Sequence, residues 1–257
     1  MGSCIVAFSG GVDSSYLALV AHQTLGSRAL IVTAESPSYP SHQRNIALHL
    51  VEKHGFNHEI IRSDEIDDPN YASNPANRCY FCKHELYSKL QTMARARGFC
   101  YVVDGNNLDD TSDYRPGRQA GQELQVRSPL MDAGLRKSEI RELSRVCGLA
   151  TWDQPASACL SSRIPYGSEV TPEKLRMIDQ GEELVRQLGF KQFRVRHHGD
   201  VARLEFAREE LPAALNLELF DRLSRDFKRI GFKFVAIDVD GYRTGALNEV
   251  LTKIETA

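Results

Sequence analysis

No apolar run in this 257-residue chain approaches the roughly 18 residues that a membrane-spanning helix needs, which excludes a helical span. Charge of one sign is also missing. The 32 Lys+Arg face 34 Asp+Glu, a formal net of -2, so the chain as a whole has no attraction for a nucleic-acid backbone, and no nucleic-acid partner is expected. The N-terminus lacks a basic stretch leading into a separate apolar one, so no secretory signal is read there. Met1-Gly2 does not begin an acylation motif, because Val6 stands where Ser or Thr is needed. There is no internal repeat. What is present is ordinary globular composition, 42% hydrophobic and 26% charged, which argues against disorder. A chain of this length buries roughly three quarters of its unfolded surface and needs no disulfides to fold. Six cysteines without an export signal therefore read as thiols in a reducing cytoplasm, available for metal binding or catalysis.

Short β-branched runs alternate with helical periods through the first part of the chain. Strands are predicted over 4–8, 29–33, 59–61, 101–103 and 124–126, with helices over 14–25, 42–54, 83–97 and 137–146. Alternation of this kind predicts an α/β domain with a parallel sheet covered on both faces, spanning residues 1–165. Residues 153–171 carry Pro155, Pro165 and Gly167 and read as a functional loop running into a boundary. Beyond it, Thr171 caps a predicted helix that Pro172 opens and that runs to 188. Residues 193–197 and 201–206 alternate across His198-Gly199-Asp200 as a hairpin with one polar face. A helix over 216–230 and a strand over 233–239 complete a smaller α+β domain, 166–257.

Ser9-Gly10-Gly11-Val12-Asp13-Ser14-Ser15 falls between the first strand and the first helix, where open α/β sheets place their ligands. Two glycines let backbone amides approach an anion, the serine hydroxyls donate to it, and the helix dipole adds roughly half a positive charge. No Gly-Lys-Ser/Thr follows, so this is not a Walker A loop. The heptapeptide resembles the pyrophosphate loop (PP-loop) of ATP pyrophosphatases, the superfamily of GMP and NAD synthetases and tRNA thiolases. The resemblance implies ATP cleaved to AMP and pyrophosphate, with a substrate oxygen captured as an adenylate. It also implies that Asp13 helps position Mg2+ and that the end of the second strand, around Ala34 and Glu35, approaches adenine. Lys137 opens a helix, as phosphate-contacting lysines do in related ATP pyrophosphatases. A cation is unfavourable at that end of the dipole, which favours a functional role.

Four further segments narrow the resemblance: Arg78-Cys79-Tyr80-Phe81-Cys82-Lys83, the stretch 109–117 with Arg115, Arg127-Ser128-Pro129-Leu130, and 155–163 with Cys159 and Arg163. With Asp240-Gly241-Tyr242-Arg243-Thr244-Gly245, they resemble the LarE family of sulfur transferases for the nickel-pincer nucleotide cofactor. That resemblance implies adenylation of a pyridinium-biscarboxylate mononucleotide and displacement of AMP by sulfur, giving a thiocarboxylate. Some members sacrifice the sulfur of a cysteine at the position of Cys159. Others hold a [4Fe-4S] cluster on three thiolates, and Cys79, Cys82 and Cys159 make this chain look like that type. It further implies a homo-oligomer built through the C-terminal domain and a separate sulfur donor.

By spacing alone, Cys79-x-x-Cys82 with one distant cysteine also fits a structural zinc site with His42, His84 or water as fourth ligand. Cys4, Cys100 and Cys147 read as small buried hydrophobes. Asp109 and Asp110 suit either magnesium or a turn cap. Arg115 suits a phosphate or carboxylate, or a surface ion pair. Arg194 and Arg196 share one strand face about 7 Å apart. The resemblance makes them substrate anchors, with Glu205 on the paired strand and Arg163, beside the reactive Cys159, a further anchor candidate; a solvated polar hairpin face is the alternative. His197 and His198 read as surface residues at the hairpin end. The competing functions are a tRNA thiolase, whose basic surface is missing, and an ammonia-dependent PP-loop ligase, which leaves the three cysteines without a role.

Overall fold

Four apolar stretches assemble side by side as a parallel sheet in the order β3-β2-β1-β4: β1 (Cys4–Ala7), β2 (Ala29–Glu35), β3 (His58–Arg62) and β4 (Tyr101–Val103). The computed structural model describes residues 1–111, 116–155, 158–243 and 245–246. The chain divides into two units, one of residues 1–71 and 77–157, the other of residues 72–76 and 158–257.

In the first unit, α1 (Val12–Leu25), α2 (Ser41–His54), α3 (Pro69–Ala72), α4 (Arg78–Arg97), α5 (Gly117–Glu123), α6 (Pro129–Asp132) and α7 (Lys137–Val146) alternate with the strands. Successive strand residues point to opposite faces. Val6, Ile31 and Val103 therefore pack with Leu17, Ala47, Leu50 and Ile140 of α1, α2 and α7. Ile5, Leu30, Val32 and Val102 pack with Tyr87, Leu90 and Ala94 of α4 and Ala120 of α5. Burial on both faces is why these strands are continuously apolar. From β1 the chain winds outward to β2 and β3, then returns to place β4 on the other side of β1. This reversal opens a crevice outside the carboxyl ends of β1 and β4. There the backbones lie close. A Cβ at Gly105 would stand 2.9 Å from the amide nitrogen of Ser14 in α1.

In the second unit, α8 (Pro172–Gln187), β5 (Phe193–His198), β6 (Val201–Phe206), α9 (Leu211–Ala214), α10 (Leu217–Ile230) and β7 (Phe234–Ile237) follow. β5 and β6 pair antiparallel, β6 and β7 parallel. Thr171 caps α8, its hydroxyl accepting from the Lys174 amide at 3.3 Å. Val185, Val195, Leu204, Phe206, Phe227 and Phe232 form the core between helices and sheet. The separate strip 72–76 is bound in by Asn74, fully buried, whose Nδ2 donates to the carbonyls of Pro165 (2.7 Å) and Ser168 (3.0 Å). Two arginine–glutamate pairs are buried in this unit, the second of them on the face of β5–β6 away from the core. Arg163 grips Glu182 at 2.8 and 3.1 Å, and Arg196 grips Glu205 at 2.9 and 2.8 Å. Burial alone would make Glu182 harder to ionise; the Arg163 charge and hydrogen bonds outweigh it and hold the carboxyl below its ordinary value.

Four local expectations need correction. Residues 124–126 are not a strand. Gln125 turns to φ +54 and the Val126 amide returns to the Gly121 carbonyl at 2.8 Å, so this backbone ends α5, and only Val103 and Arg127 form a parallel bridge. α4 begins at Arg78 rather than at 83, which puts Cys79 and Cys82 on a helix. Cys4 is buried as expected, but Cys100 and Cys147 are exposed. His197 is 6% exposed and packs on Phe232, because it falls on the core side of the strand alternation.

Gly105→Ala should cost about 1–3 kcal/mol in urea unfolding, since the added carbon meets backbone that cannot yield. Gly121→Ala, inside α5 with only ordinary contact to Tyr87 at 3.5 Å, should be neutral or stabilise by up to about 1 kcal/mol. Glu182→Gln should cost about 3–5 kcal/mol at neutral pH. Because the Glu182 carboxyl is more acidic folded than unfolded, its contribution is complete above about pH 4.3 and is lost as the pH falls through the folded value. Unfolding curves between pH 7 and 3 should therefore bring the variant and the parent together at the acid end.

Candidate functional site

β1 delivers the chain to Ser9 at its carboxyl end, and the turn that follows packs tightly against its neighbours. Gly10 sits at φ +68, where L-residues are strained, and a Cβ there would stand 2.9 Å from Cβ of Ala47. Gly11 caps α1 without a side-chain hydrogen bond, and Val12 and Asp13 open the helix. The Ser9 and Ser14 hydroxyls lie 3.1 Å apart, and Ser14 Oγ donates to the Gly11 carbonyl at 3.2 Å. Ser15 is fully buried, its Oγ without a hydrogen-bond partner. Tyr39, from the segment after β2, donates its hydroxyl to the Ser9 carbonyl at 3.0 Å. Burial, with Glu35 close by, pushes that phenol well above its ordinary value and keeps it a donor.

Lys137, at the first position of α7, reaches across to this turn. Its Nζ lies 2.5 Å from Asp13 Oδ2, while Asp13 Oδ1 is buried with no hydrogen-bond partner. A carboxylate with one oxygen on an ammonium and the other open suits a divalent cation arriving with a phosphate. Asp109 anchors the start of α7, accepting from the Lys137 amide at 2.8 Å and from Arg136 Nη1 at 3.0 Å. Asp110 Oδ2 accepts from the Asn107 amide at 3.0 Å, the bond of a turn. Ala34 lies one residue before the end of β2, half-buried, paired with Ile61, and Glu35 beside it binds Arg44. Directly after β4 stands a buried group that the sequence motifs did not include. Asp104, 4% exposed, accepts from Tyr87 (2.6 Å), Ser128 (2.7 Å) and Asn106 (2.7 Å). The Asp104-Gly105-Asn106 string after a strand was its sequence signal.

Cys79 is exposed and Cys82 half-buried on the first turn of α4. Three residues apart on a helix, the two thiols are neighbours, and the positive end of the dipole favours thiolates there. Cys159 belongs to the second unit, half-buried, and precedes the 3-10 turn Leu160–Arg163. Among the described residues no group of three His, Cys, Asp or Glu is gathered to hold a metal ion. The donor chemistry of these thiols nevertheless fits a soft metal or an iron–sulfur cluster.

Arg163 is 2% exposed, and its Nη1 donates to the carbonyls of Ala158 (2.9 Å) and Cys159 (3.1 Å). Arg196 Nη1 donates to the Ser162 carbonyl at 2.7 Å. Both therefore brace the Cys159 turn and are themselves oriented by Glu182 and Glu205. Glu182 carries no sequence signal, being one acidic residue in an amphipathic helix. Arg194, on the same face as Arg196, stacks over Tyr242 with 4.7 Å between the guanidinium carbon and the ring centroid. Burial, then the Arg163 charge, lowers its basicity. The polar face of the hairpin is thus buried at Arg196 and Glu205, half-buried at Arg194 and Arg203, and exposed at His198. Arg115 lies outside the described residues.

No protein-family model matches the chain. It is 45% identical over 249 residues to an uncharacterised protein of Synechocystis sp., covering 97% of this chain and 93% of that one. It is 35% identical over 253 residues to the pyridinium-3,5-bisthiocarboxylic acid mononucleotide synthase of Lactiplantibacillus plantarum, covering 98% and 91%. A more distant relative is one of the subunits of the glutamine-hydrolysing GMP synthase of Thermoplasma volcanium, 27% identical over 202 residues, covering 72% and 64%. The near-complete match to the synthase and the glycine–serine turn at the sheet's switch point agree: the chain belongs to the LarE family of ATP-dependent sulfur transferases within the PP-loop superfamily.

Proposed function

We propose that this enzyme uses ATP to adenylate a carboxylate of pyridinium-3,5-biscarboxylic acid mononucleotide, then replaces AMP with sulfur to give a thiocarboxylate. The observation that carries the ATP half is the open turn Ser9–Ser15 with Asp13 half-engaged by Lys137. The relative named as the bisthiocarboxylic acid mononucleotide synthase supports the substrate and the sulfur half.

In the first step, amides and hydroxyls of Ser9, Gly10, Gly11, Val12, Ser14 and Ser15 receive the β- and γ-phosphates at the helix N-terminus. Lys137 would exchange Asp13 for a phosphate oxygen, and Asp13 would then be the residue to hold the accompanying Mg2+. The substrate carboxylate oxygen bonds to the α-phosphorus, the bond to the bridging oxygen breaks, and pyrophosphate leaves. In the second step, a sulfur nucleophile bonds to the acyl carbon and AMP departs with the electron pair of the C–O bond. The residues that would hold a [4Fe-4S] cluster are Cys79, Cys82 and Cys159; three thiolates satisfy three irons, and the cluster would supply a fourth iron open to sulfide. Arg194 and Arg196, with Arg115, would anchor substrate phosphate and carboxylate, Glu205 keeping Arg196 in its plane. Arg163 would hold the Cys159 turn toward the reacting carbonyl. A cytoplasmic homo-oligomer recharged by a sulfur donor completes the reading, with the second unit supplying the contacts between copies.

Asp13→Ala should abolish substrate-dependent pyrophosphate release and leave iron and acid-labile sulfide unchanged. Cys82→Ala should do the reverse, keeping pyrophosphate release and losing repeated sulfur transfer. Protein purified without oxygen should carry about four iron and four sulfide per chain. Stoichiometric zinc without sulfide would instead make the cysteines structural and overturn the cluster.

A further inference from the structure

We infer that Asp104 is a positioning residue for adenylation: it anchors the loop that sets Asp13 and Lys137 against each other at the ATP turn. The inference rests on the proposed ATP chemistry. Asp104 follows β4 directly, and its buried carboxylate is filled by donors. Oδ1 accepts from Ser128 Oγ at 2.7 Å and from the Asn106 amide at 3.2 Å. Oδ2 accepts from the Tyr87 hydroxyl at 2.6 Å and from Asn106 Nδ2 at 2.7 Å. Tyr87 is fully buried in α4; burial, then the Asp104 charge, raises its phenol well above the ordinary value and keeps it a donor. The Asp104 amide donates in turn to the Arg127 carbonyl at 2.9 Å. A buried charge is weak evidence for stability. What a fully satisfied polar network supplies is a single geometry.

The loop that starts at Asp104 meets both partners of the Asp13–Lys137 pair. At its beginning, Gly105 lies against the peptide bond that joins Asp13 to Ser14. A Cβ there would stand 2.9 Å from the Ser14 nitrogen and 3.1 Å from the Asp13 carbonyl carbon. At its far end, Asp109 accepts from the Lys137 amide at 2.8 Å, and the Leu108 amide donates to the Leu135 carbonyl at 2.9 Å. Between them the loop is braced on itself. The Asp109 amide donates to Asn107 Oδ1 and the Asn107 amide to Asp110 Oδ2, each at 3.0 Å. Residues 104–109 therefore press on the backbone of Asp13 at one end and seat the start of α7 at the other. The ammonium of Lys137 then closes the circuit on Asp13. Where that carboxylate and that ammonium stand relative to an arriving phosphate is set by this loop, and Asp104 is its buried anchor. Misplacing a reacting group by about 1 Å costs up to about a hundredfold in rate.

Asp104→Asn keeps the outline, but whichever way the amide turns, its NH2 faces one of the two Asn106 donors. In this variant kcat for substrate-dependent pyrophosphate release should fall about ten- to a hundredfold, while KM for ATP moves by less than about threefold. In a Lys137→Ala background the same substitution should cost less than about threefold, because the pair it aligns is already broken. Ser128→Ala, which removes one donor and leaves the carboxylate, should show the same pattern at severalfold and decides the matter if Asp104→Asn does not fold. Unchanged kcat in these variants, or an equal loss with and without Lys137, would overturn the inference and leave the proposed function standing. Hydrogen exchange of the ATP-free protein supplies a readout besides activity. Peptides over 105–110 and 135–140 should exchange severalfold faster in the variants, with 193–206 unchanged; no change at 105–110 would overturn the anchor. Absence of pyrophosphate release in the parent protein would overturn the proposed function instead, and the exchange would still decide whether Asp104 holds the loop.

Discussion

Everything at the nucleotide end depends on backbone packed to the limit of contact. Gly10 touches α2 and Gly105 touches the first turn of α1, each at a distance that a methyl group would violate. Those contacts fix the backbone of the Ser9–Ser15 turn, which opens α1 with no side-chain cap at Gly11. A helix N-terminus in this setting is a fixed positive dipole that needs no rearrangement when an anion arrives. The sheet order supplies the position, since the winding reverses beside β1, where open sheets take ligands at the strands' carboxyl ends.

The second unit solves a different problem, that of holding several guanidinium groups in one place. Arg163, Arg194 and Arg196 would repel one another in a weakly screened interior. Glu182 and Glu205 offset this with fork-to-fork bonds to Arg163 and Arg196. Such pairs contribute little net stability, because desolvation cancels most of the attraction, yet losing one partner strands a buried charge. Their value lies in direction: the spare Nη1 of each arginine ends on a carbonyl of the 158–163 stretch. Arg194 stands opposite Glu205 in the strand register but lays its guanidinium on the Tyr242 ring.

The helix α7 is tied down along its length. Its first residue meets Asp13, its second turn holds the carbonyls of 152 and 154, and its own start is fixed by Asp109. Ile140, fully buried, seats the helix on the sheet. A short amphipathic helix with one apolar side thus presents Lys137 to Asp13 at its start and Arg141 to the backbone that follows it.

The sequence by itself determined the parallel sheet, the site of the ATP turn and the family, because continuous apolar runs, helical periods and a glycine–serine string depend only on local order. It also marked Lys137, from the oddity of a cation opening a helix; the structure sets its ammonium on Asp13. It misjudged 124–126, where Leu and Val suggested a strand but the helix before them claimed the backbone for its own ending. It took Cys100 and Cys147 for core residues, since hydrophobic type says nothing about which side of an element faces water. Only the tertiary structure decided that Arg196 and Glu205 are buried and joined, that Glu182 stands behind Arg163, and that Arg141 binds carbonyls. These are long-range choices of partner, and an arginine in a sequence carries no mark of which carboxylate or carbonyl the fold will bring to it.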